Sequence, residues 1–216
     1  LIYCFLTVTL RANQNVTGLA ITTFGVGFGN FFGASLVKLT DSDVPSVALT
    51  TTSAFFRKAL PFADSLGAVG KLFFSYGFMT YLAIGIAIVC AIFLRKTRGG
   101  LHLRAVGENP ATADAAGINV TKYKYVATIV GSVIAGLGGL YYVMDYTKGT
   151  WANDGTIEGL GWLAVALVIF TTWKPLNAIW GSYLFGLLYW LYQFLPTLMG
   201  FSVPGYITDL IQMVPY

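Results

Sequence analysis

Long apolar runs separated by short polar clusters set the pattern of this chain. Val16 to Val37, Leu72 to Leu94, Tyr125 to Met144, Leu160 to Trp173 and Asn177 to Leu195 are each dominated by hydrophobic residues. Leu72 to Leu94 is the cleanest, and its 23 residues would cover about 35 Å as a helix, enough to cross a bilayer with some tilt. Leu160 to Trp173 is short for a full crossing and is expected to start within the preceding loop or to be partly re-entrant. Leu1 to Leu10 reads as the end of one further span, and Ser202 to Tyr216 as the start of another. The expected fold is therefore all-α and polytopic, a single transmembrane domain over residues 1–216. It has five full transmembrane helices and two partial ones, as of a fragment cut at both ends.

Two of these runs carry small residues at helical spacing. Gly25, Gly29 and Gly33 share one helical face, as do Gly131, Ala135 and Gly139. Such stripes let helices approach closely in lipid. An interrupted helix lining a solute path is the sharper alternative for the first stripe, where Asn30 also lies. Phe24, Phe28 and Phe31 fit core packing better than stacking on a bound base.

The polar clusters divide by charge. Arg95 to Lys124 holds Arg95, Lys96, Arg98, Arg104, Lys122 and Lys124, six of the thirteen basic residues. A short loop this basic stays on the cytoplasmic side. Arg11 to Asn15 and Lys174-Pro175 then fall in the cytoplasm as well. Lys38 to Lys71 and Asp145 to Glu158 fall outside, although the former carries four basic residues against the trend. Asn15-Val-Thr17 matches a glycosylation sequon but lies on the wrong side. Gly67 to Lys71 superficially resembles a phosphate loop. Ser65 stands where that motif needs its upstream glycine, and Leu72 where it needs Ser or Thr.

Within the basic loop the residues encode a small helix of their own. Asn109 is a good N-cap and Pro110 suits the first helical position. Ala111, Ala113, Ala115 and Ala116 favour helix, and Gly117 supplies a left-handed residue that ends it. So short a helix buries no core of its own, and between two spans it reads as a docking element for another protein.

Composition narrows the class. Hydrophobic residues make up 56%, charged residues 10% and the mean hydropathy is +0.70. Soluble domains carry about 25% charged residues, so the chain is an integral membrane protein. The net charge of +4 gathers in the loop and reports topology, and no basic face for nucleic acid is visible. Cys4 and Cys90 lie in apolar runs, which argues against a disulfide. His102 has no paired Cys or His at metal-ligand spacing. Asp41, Asp43, Asp64, Glu108, Asp114, Asp145, Asp154 and Glu158 avoid the spans, and Asp209 lies near the C-terminal end. Ion-coupled transporters usually carry ionisable groups inside the membrane. Their scarcity, with no ATP-binding motif, points to a driving force supplied by a separate subunit. Neither catalysis nor a metal or cofactor is expected in this chain.

The sequence from Arg104 to Ile118 resembles the cytoplasmic coupling loop of permease subunits of bacterial ABC importers, in the branch handling simple sugars, nucleosides and branched-chain amino acids. The matching residues are Arg104, Gly107 with Asn109, Ala115 with Ala116, and Gly117 with Ile118. The likeness covers nearly the whole chain and is most specific from Thr97 to Trp190. Arg104 to Pro110, with the Gly-Trp-Leu-Ala-Val-Ala-Leu run from Gly161, is most similar to the nucleoside-type permeases. The resemblance implies a multi-pass subunit of the bacterial cytoplasmic membrane that imports nucleosides or a related simple sugar. Ribose or another monosaccharide is the second substrate class and branched-chain amino acids the third. A channel or secondary transporter acting alone is a separate alternative. The implied partners are an ABC ATPase, which would bind the ATP, an extracytoplasmic substrate-binding protein and a second permease subunit. The ATPase-coupling residues would be Arg104, Gly107, Glu108, Asn109, Pro110, Ala113, Ala115, Ala116 and Gly117, in a coupling loop spanning 95–124.

Overall fold

A computed structural model of the chain describes residues 1–39, 47–48, 50–58, 75–151 and 156–199. The partial span at Ser202–Tyr216, the Gly67–Lys71 segment and the first residues of the span expected from Leu72 lie outside the described residues. The architecture is helical. In chain order the helices are α1 (Ile2–Cys4), α2 (Gln14–Leu39), α3 (Thr50–Phe56), α4 (Phe78–Lys96), α5 (Arg98–Glu108), α6 (Pro110–Ala115), α7 (Val120–Tyr141), α8 (Thr156–Phe170) and α9 (Pro175–Met199). Single π-turns extend α1 over Phe5–Thr9 and α7 over Tyr142–Tyr146. One two-residue antiparallel pair, Val47 with Trp151 and Ala48 with Thr150, is the extended structure among the described residues.

Three of the described helices are long and apolar enough to cross a bilayer: Gln14–Gly33, Phe78–Lys96 and Val120–Tyr146. Gly159–Phe170 is apolar but shorter, and its helix begins at Thr156, inside the segment expected to be loop. Only 11%, 11% and 6% of the most apolar stretches of the three spans are buried within the chain. Helices this apolar and this bare require a non-aqueous surround, which makes the chain an integral membrane protein. Hydroxyls in the spans bond to their own helix. Thr22, Thr23, Thr128 and Ser132 each donate to the carbonyl four residues back, so their polarity is satisfied without a neighbour.

The chain forms two compact units, residues 1–82 with 93–153 and residues 83–92 with 154–216. In the first, the opposite ends of α7 carry different structures. At its start lie α5, α6 and the N-terminal π-turn, tied on by a 2.5 Å hydrogen bond between the Thr9 and Tyr125 hydroxyls. At its far end lie α3 and the strand pair. Asp145, expected in a loop, stands in the π-turn there, and its Oδ2 is buried without a hydrogen-bond partner. The helical ladder continues through Tyr146 because nothing between Val120 and Tyr146 breaks it. In the same corner Arg57 Nε donates to the fully buried Ser53 hydroxyl at 3.2 Å. In the second unit, α8 and α9 form a hairpin closed by Thr171–Lys174. Thr172 and Trp173 are both left-handed, with φ of 52° and 58°, at roughly 1–2 kcal/mol each for L-residues. The buried Thr171 steadies the turn by donating to Leu167 O at 2.9 Å and by accepting from Asn177 Nδ2 at 3.5 Å.

Most of the glycine stripe positions stand clear of the other described residues, although Gly33 is buried. A Cβ added at Gly25, Gly29, Gly131 or Gly139 would meet nothing within 4 Å. Phe24, Phe28 and Phe31 are likewise 61%, 54% and 69% exposed, so the expected core packing is not realised. They pack along their own helix instead, with Phe28 and Phe32 ring centroids 4.4 Å apart. Close approach falls at other glycines. A Cβ at Gly100 would overlap the Phe93 carbonyl oxygen and come within 2.6 Å of Leu94 Cα. One at Gly77 would lie 2.6 Å from both Asp145 Oδ2 and the Phe56 carbonyl, and one at Gly181 would lie 2.5 Å from Thr171 Cγ2.

Gly100→Ala is expected to destabilise the folded chain by about 1–3 kcal/mol, the usual cost of overpacking, whereas Gly29→Ala leaves it unchanged or firmer. Melting followed by size-exclusion of the detergent-solubilised variants measures both. Equal melting of the two variants would remove the Gly100 contact from the account of the fold.

Candidate functional site

The segment between α4 and α7 is built from two short helices held by side-chain caps. α4 ends at Lys96, and Thr97 turns the chain with φ −108° and ψ 152°. Its hydroxyl donates to Phe93 O at 2.7 Å and accepts from Gly100 N at 3.0 Å. One residue thus closes a span and opens α5. The next corner works the same way. Asn109 N donates to Ala105 O at 3.0 Å, ending α5. Its side-chain oxygen accepts from Ala111 N and Thr112 N at 3.1 and 3.2 Å, starting α6. Pro110 explains why the helices do not fuse, because a residue before proline is driven out of the helical region. Asn109 accordingly sits at φ −147° and ψ 96°.

α6 stops as its sequence requires. Gly117 has φ +81°. Gly117 N donates to Asp114 O at 2.9 Å and Ile118 N to Ala113 O at 3.0 Å, the paired bonds of a Schellman ending. Asn119 then caps α7, accepting from Lys122 N at 2.9 Å. The expected helix from Asn109 to Ala116 is present, with its regular turns over Pro110–Ala115. The helix before it, Arg98–Glu108, is an addition to the elements expected from the sequence, and it forms although Gly99 and Gly100 have low helix propensity. Its signal was Thr97 as N-cap, followed by Leu103 and Val106 at a three-residue spacing.

The candidate coupling residues divide by exposure. Arg104, Gly107, Glu108, Asn109, Pro110, Ala115, Ala116 and Gly117 are exposed, on α5 and α6 or at their caps. Ala113 is not, at 3% exposure. It turns inward, as does Val106 on α5, the helix against which α6 chiefly packs. Ala113 and Ala116 therefore do not present a shared outer face. His102 has a structural partner too: its Nδ1 lies 3.0 Å from the Tyr123 hydroxyl, with the rings edge to face. This contact fixes α5 to the start of α7. Chemically the site offers a small, double-capped, nearly neutral knob between cationic flanks. No group of three or more potential metal ligands occurs among the described residues.

A family model described as branched-chain amino acid transport system / permease component matches residues 1–214. The chain is 34% identical over 187 residues to the putative glucose ABC transporter permease protein TsgC13 of Haloferax volcanii, covering 87% of this chain and 54% of that protein. It is 33% identical over 191 residues to the guanosine ABC transporter permease protein NupQ of Bacillus subtilis, covering 86% and 56%. With the nucleoside ABC transporter permease protein NupC of Lactococcus lactis the identity is 32% over 214 residues, covering 97% and 63%. The chain thus spans between 54% and 63% of the length of these curated relatives. No solved structure matches it.

Gly117 and Gly107 should respond oppositely to substitution. Gly117→Val forces a β-branched side chain into a left-handed conformation and is expected to cost about 1–2 kcal/mol or more. Gly107→Ala meets nothing within 4 Å and should gain up to about 1 kcal/mol of helix propensity. Thermal unfolding in detergent reports both. A Gly117→Val protein as stable as the parent would mean that α6 does not end as described.

Proposed function

The chain belongs to the family of branched-chain amino acid transport system permease components, and from that premise we propose that it is the transmembrane subunit of an ATP-driven importer of nucleosides or a related simple sugar. The observation that carries the proposal is α6, a double-capped knob of small exposed residues held between two spans. ATP would be bound and hydrolysed by a partner ATPase whose cleft receives α6. The permease itself would perform no catalysis and hold no cofactor. Arg104 and Glu108 would make contacts at the rim, and Ala115, Ala116 and Gly117 would allow close packing. Ala113 would act from within, by holding α6 on α5. Closure of the ATPase pair would push the knob, and the stiff connection through Thr97, Asn109 and Asn119 would carry the movement to α4 and α7.

The remaining parts of the proposal follow the charge and the family. The 95–124 segment is the coupling loop and faces the cytoplasm, the surrounding membrane is the bacterial cytoplasmic membrane, and residues 1–216 form one transmembrane domain. It has five spans and two partial ones, with α8 and α9 as the two beyond those already long enough to cross. An extracytoplasmic binding protein would deliver the solute to the other side, where α3 and the strand pair lie. A second permease subunit would complete the path. The exposed Gly25, Gly29 and phenylalanines of α2 fit lipid or that second subunit, since nothing among the described residues covers them. Relatives described as guanosine and nucleoside permeases favour nucleosides, and the glucose permease relative keeps a simple sugar as the second substrate class.

Uptake of labelled nucleosides and pentoses by cells carrying the complete system tests the substrate, and saturable uptake of neither would remove that assignment. The coupling assignment has its own test in Ala116→Glu. Coupling free energies of about 1–3 kcal/mol correspond to 5–150-fold effects, so a charge on this exposed position should lower substrate-stimulated ATP hydrolysis by about tenfold or more. The variant should still insert, melt normally and lose its co-purifying ATPase. Retention of the ATPase with full stimulation would show that α6 is not the coupling element.

A further inference from the structure

The end of α7 away from α5 and α6 holds a carboxylate that the fold leaves unanswered. Three stretches distant in sequence meet there: the last turn of α3, the start of α4 and the π-turn Tyr142–Tyr146. Phe56 of α3 packs on Phe78 of α4 with ring centroids 5.3 Å apart, and the Tyr141 and Thr80 side chains are hydrogen-bonded. Gly77, the buried N-cap of α4, is what lets Asp145 approach. A Cβ there would lie 2.6 Å from both Asp145 Oδ2 and the Phe56 carbonyl oxygen. That Oδ2 is buried and accepts no hydrogen bond, a costly position for a carboxylate oxygen. Arg57 is close enough to act on Asp145 electrostatically. Its Nε nevertheless donates to a neutral group, the fully buried Ser53 hydroxyl, at 3.2 Å.

A guanidinium matches a carboxylate in charge and in fork geometry, which a single hydroxyl does not. Arg57 therefore has a second and better acceptor within reach, and the same three side chains define two arrangements. The backbone beneath Asp145 suits an exchange between them. Thr147 N donates to Tyr142 O at 2.9 Å, closing the π-turn, and π-turns at helix ends and within helices are frequent at functional sites. A change from π to α ladder re-aims Asp145 without unfolding the span. We propose that Arg57 and Asp145 are the two halves of a latch between α3 and α7. Arg57 rests on Ser53 in the arrangement seen here and pairs with Asp145 in the other. Val120–Tyr146 is one continuous helical stretch, with α6 at its start and Asp145 at its end, so a movement at either end bears on the latch. Its place in a transport cycle rests on the importer proposed above, whereas the latch itself does not.

The test therefore uses the full-length permease alone, in nanodiscs. Spin labels on Phe55→Cys and Lys148→Cys, both exposed positions, report the separation of α3 and the end of α7, with Cys4→Ala and Cys90→Ala as background. Ser53→Ala removes the competing acceptor and should raise the closer, narrower population about fivefold or more, the lower end of effects for coupled sites. Adding Asp145→Asn should return that population to the parent level, and raising the salt concentration should lower it. A Ser53→Ala protein with unchanged populations, or a shift that survives Asp145→Asn, would overturn the latch. A second measurement needs no labels. Asp145→Asn alone should melt no lower than the parent, because it removes an unpaired charge. A lower melting temperature would mean that the carboxylate is already paired, and would also overturn the proposal. An ATPase that fails to bind α6 while Ser53→Ala behaves as expected would remove the coupling assignment and leave the latch standing.

Discussion

Hydrocarbon offers no hydrogen-bond partner to a peptide group, and the rest of this structure follows from that constraint. Each crossing segment must satisfy its own backbone, so each is a helix. Side-chain hydroxyls inside the spans obey the same rule by bonding to the carbonyl one turn back. Ionisable groups are displaced to the ends. Asp145 marks the limit, in the last turn of the extended α7 with one carboxylate oxygen left unpaired.

The connection between α4 and α7 meets its own version of the problem. Two short helices expose several helix ends within a few residues, and each end leaves backbone groups unsatisfied. Thr97, Asn109 and Asn119 answer the N-terminal ends, and Gly117 answers the C-terminal end of α6. Because Thr97 and Asn109 each serve two helices at once, there is no slack between them. A segment without slack transmits a push, as the proposed coupling to an ATPase would require. His102 on Tyr123 holds α5 to the start of α7, and the buried Val106 and Ala113 lie inward where α5 and α6 pack together.

Small residues have two separate uses in this chain. At Gly77, Gly100 and Gly181 a methyl group would collide with backbone or with buried side chain, so their smallness is consumed inside the fold. A methyl group at Gly25 or Gly29 on α2, or at Gly131 or Gly139 on α7, would meet nothing among the described residues, and Phe24, Phe28 and Phe31 on α2 are likewise exposed. Regular spacing thus does not by itself mark a packed glycine in this chain. Irregular single glycines mark the contacts within it.

Much of this was legible from residue order alone. Membrane insertion followed from hydropathy, and the capped helix at Asn109–Gly117 followed from local chemistry, because caps, proline and a left-handed glycine act over three or four residues and need no tertiary context. The match between expected and observed φ at Gly117 is of that kind. Three features required the three-dimensional structure. Whether Ala113 or Ala116 faces outward depends on how α6 lies against α5. Whether a glycine is crowded depends on which backbone passes beside it, and Gly100 meets the end of α4 only because Thr97 reverses the chain. Helix Arg98–Glu108 forms despite three glycines because its cap and the packing of Val106 outweigh their low propensity. Local signals decide where helices begin and end. Only the tertiary arrangement decides what each face meets, because burial is a property of neighbours that residue order does not name.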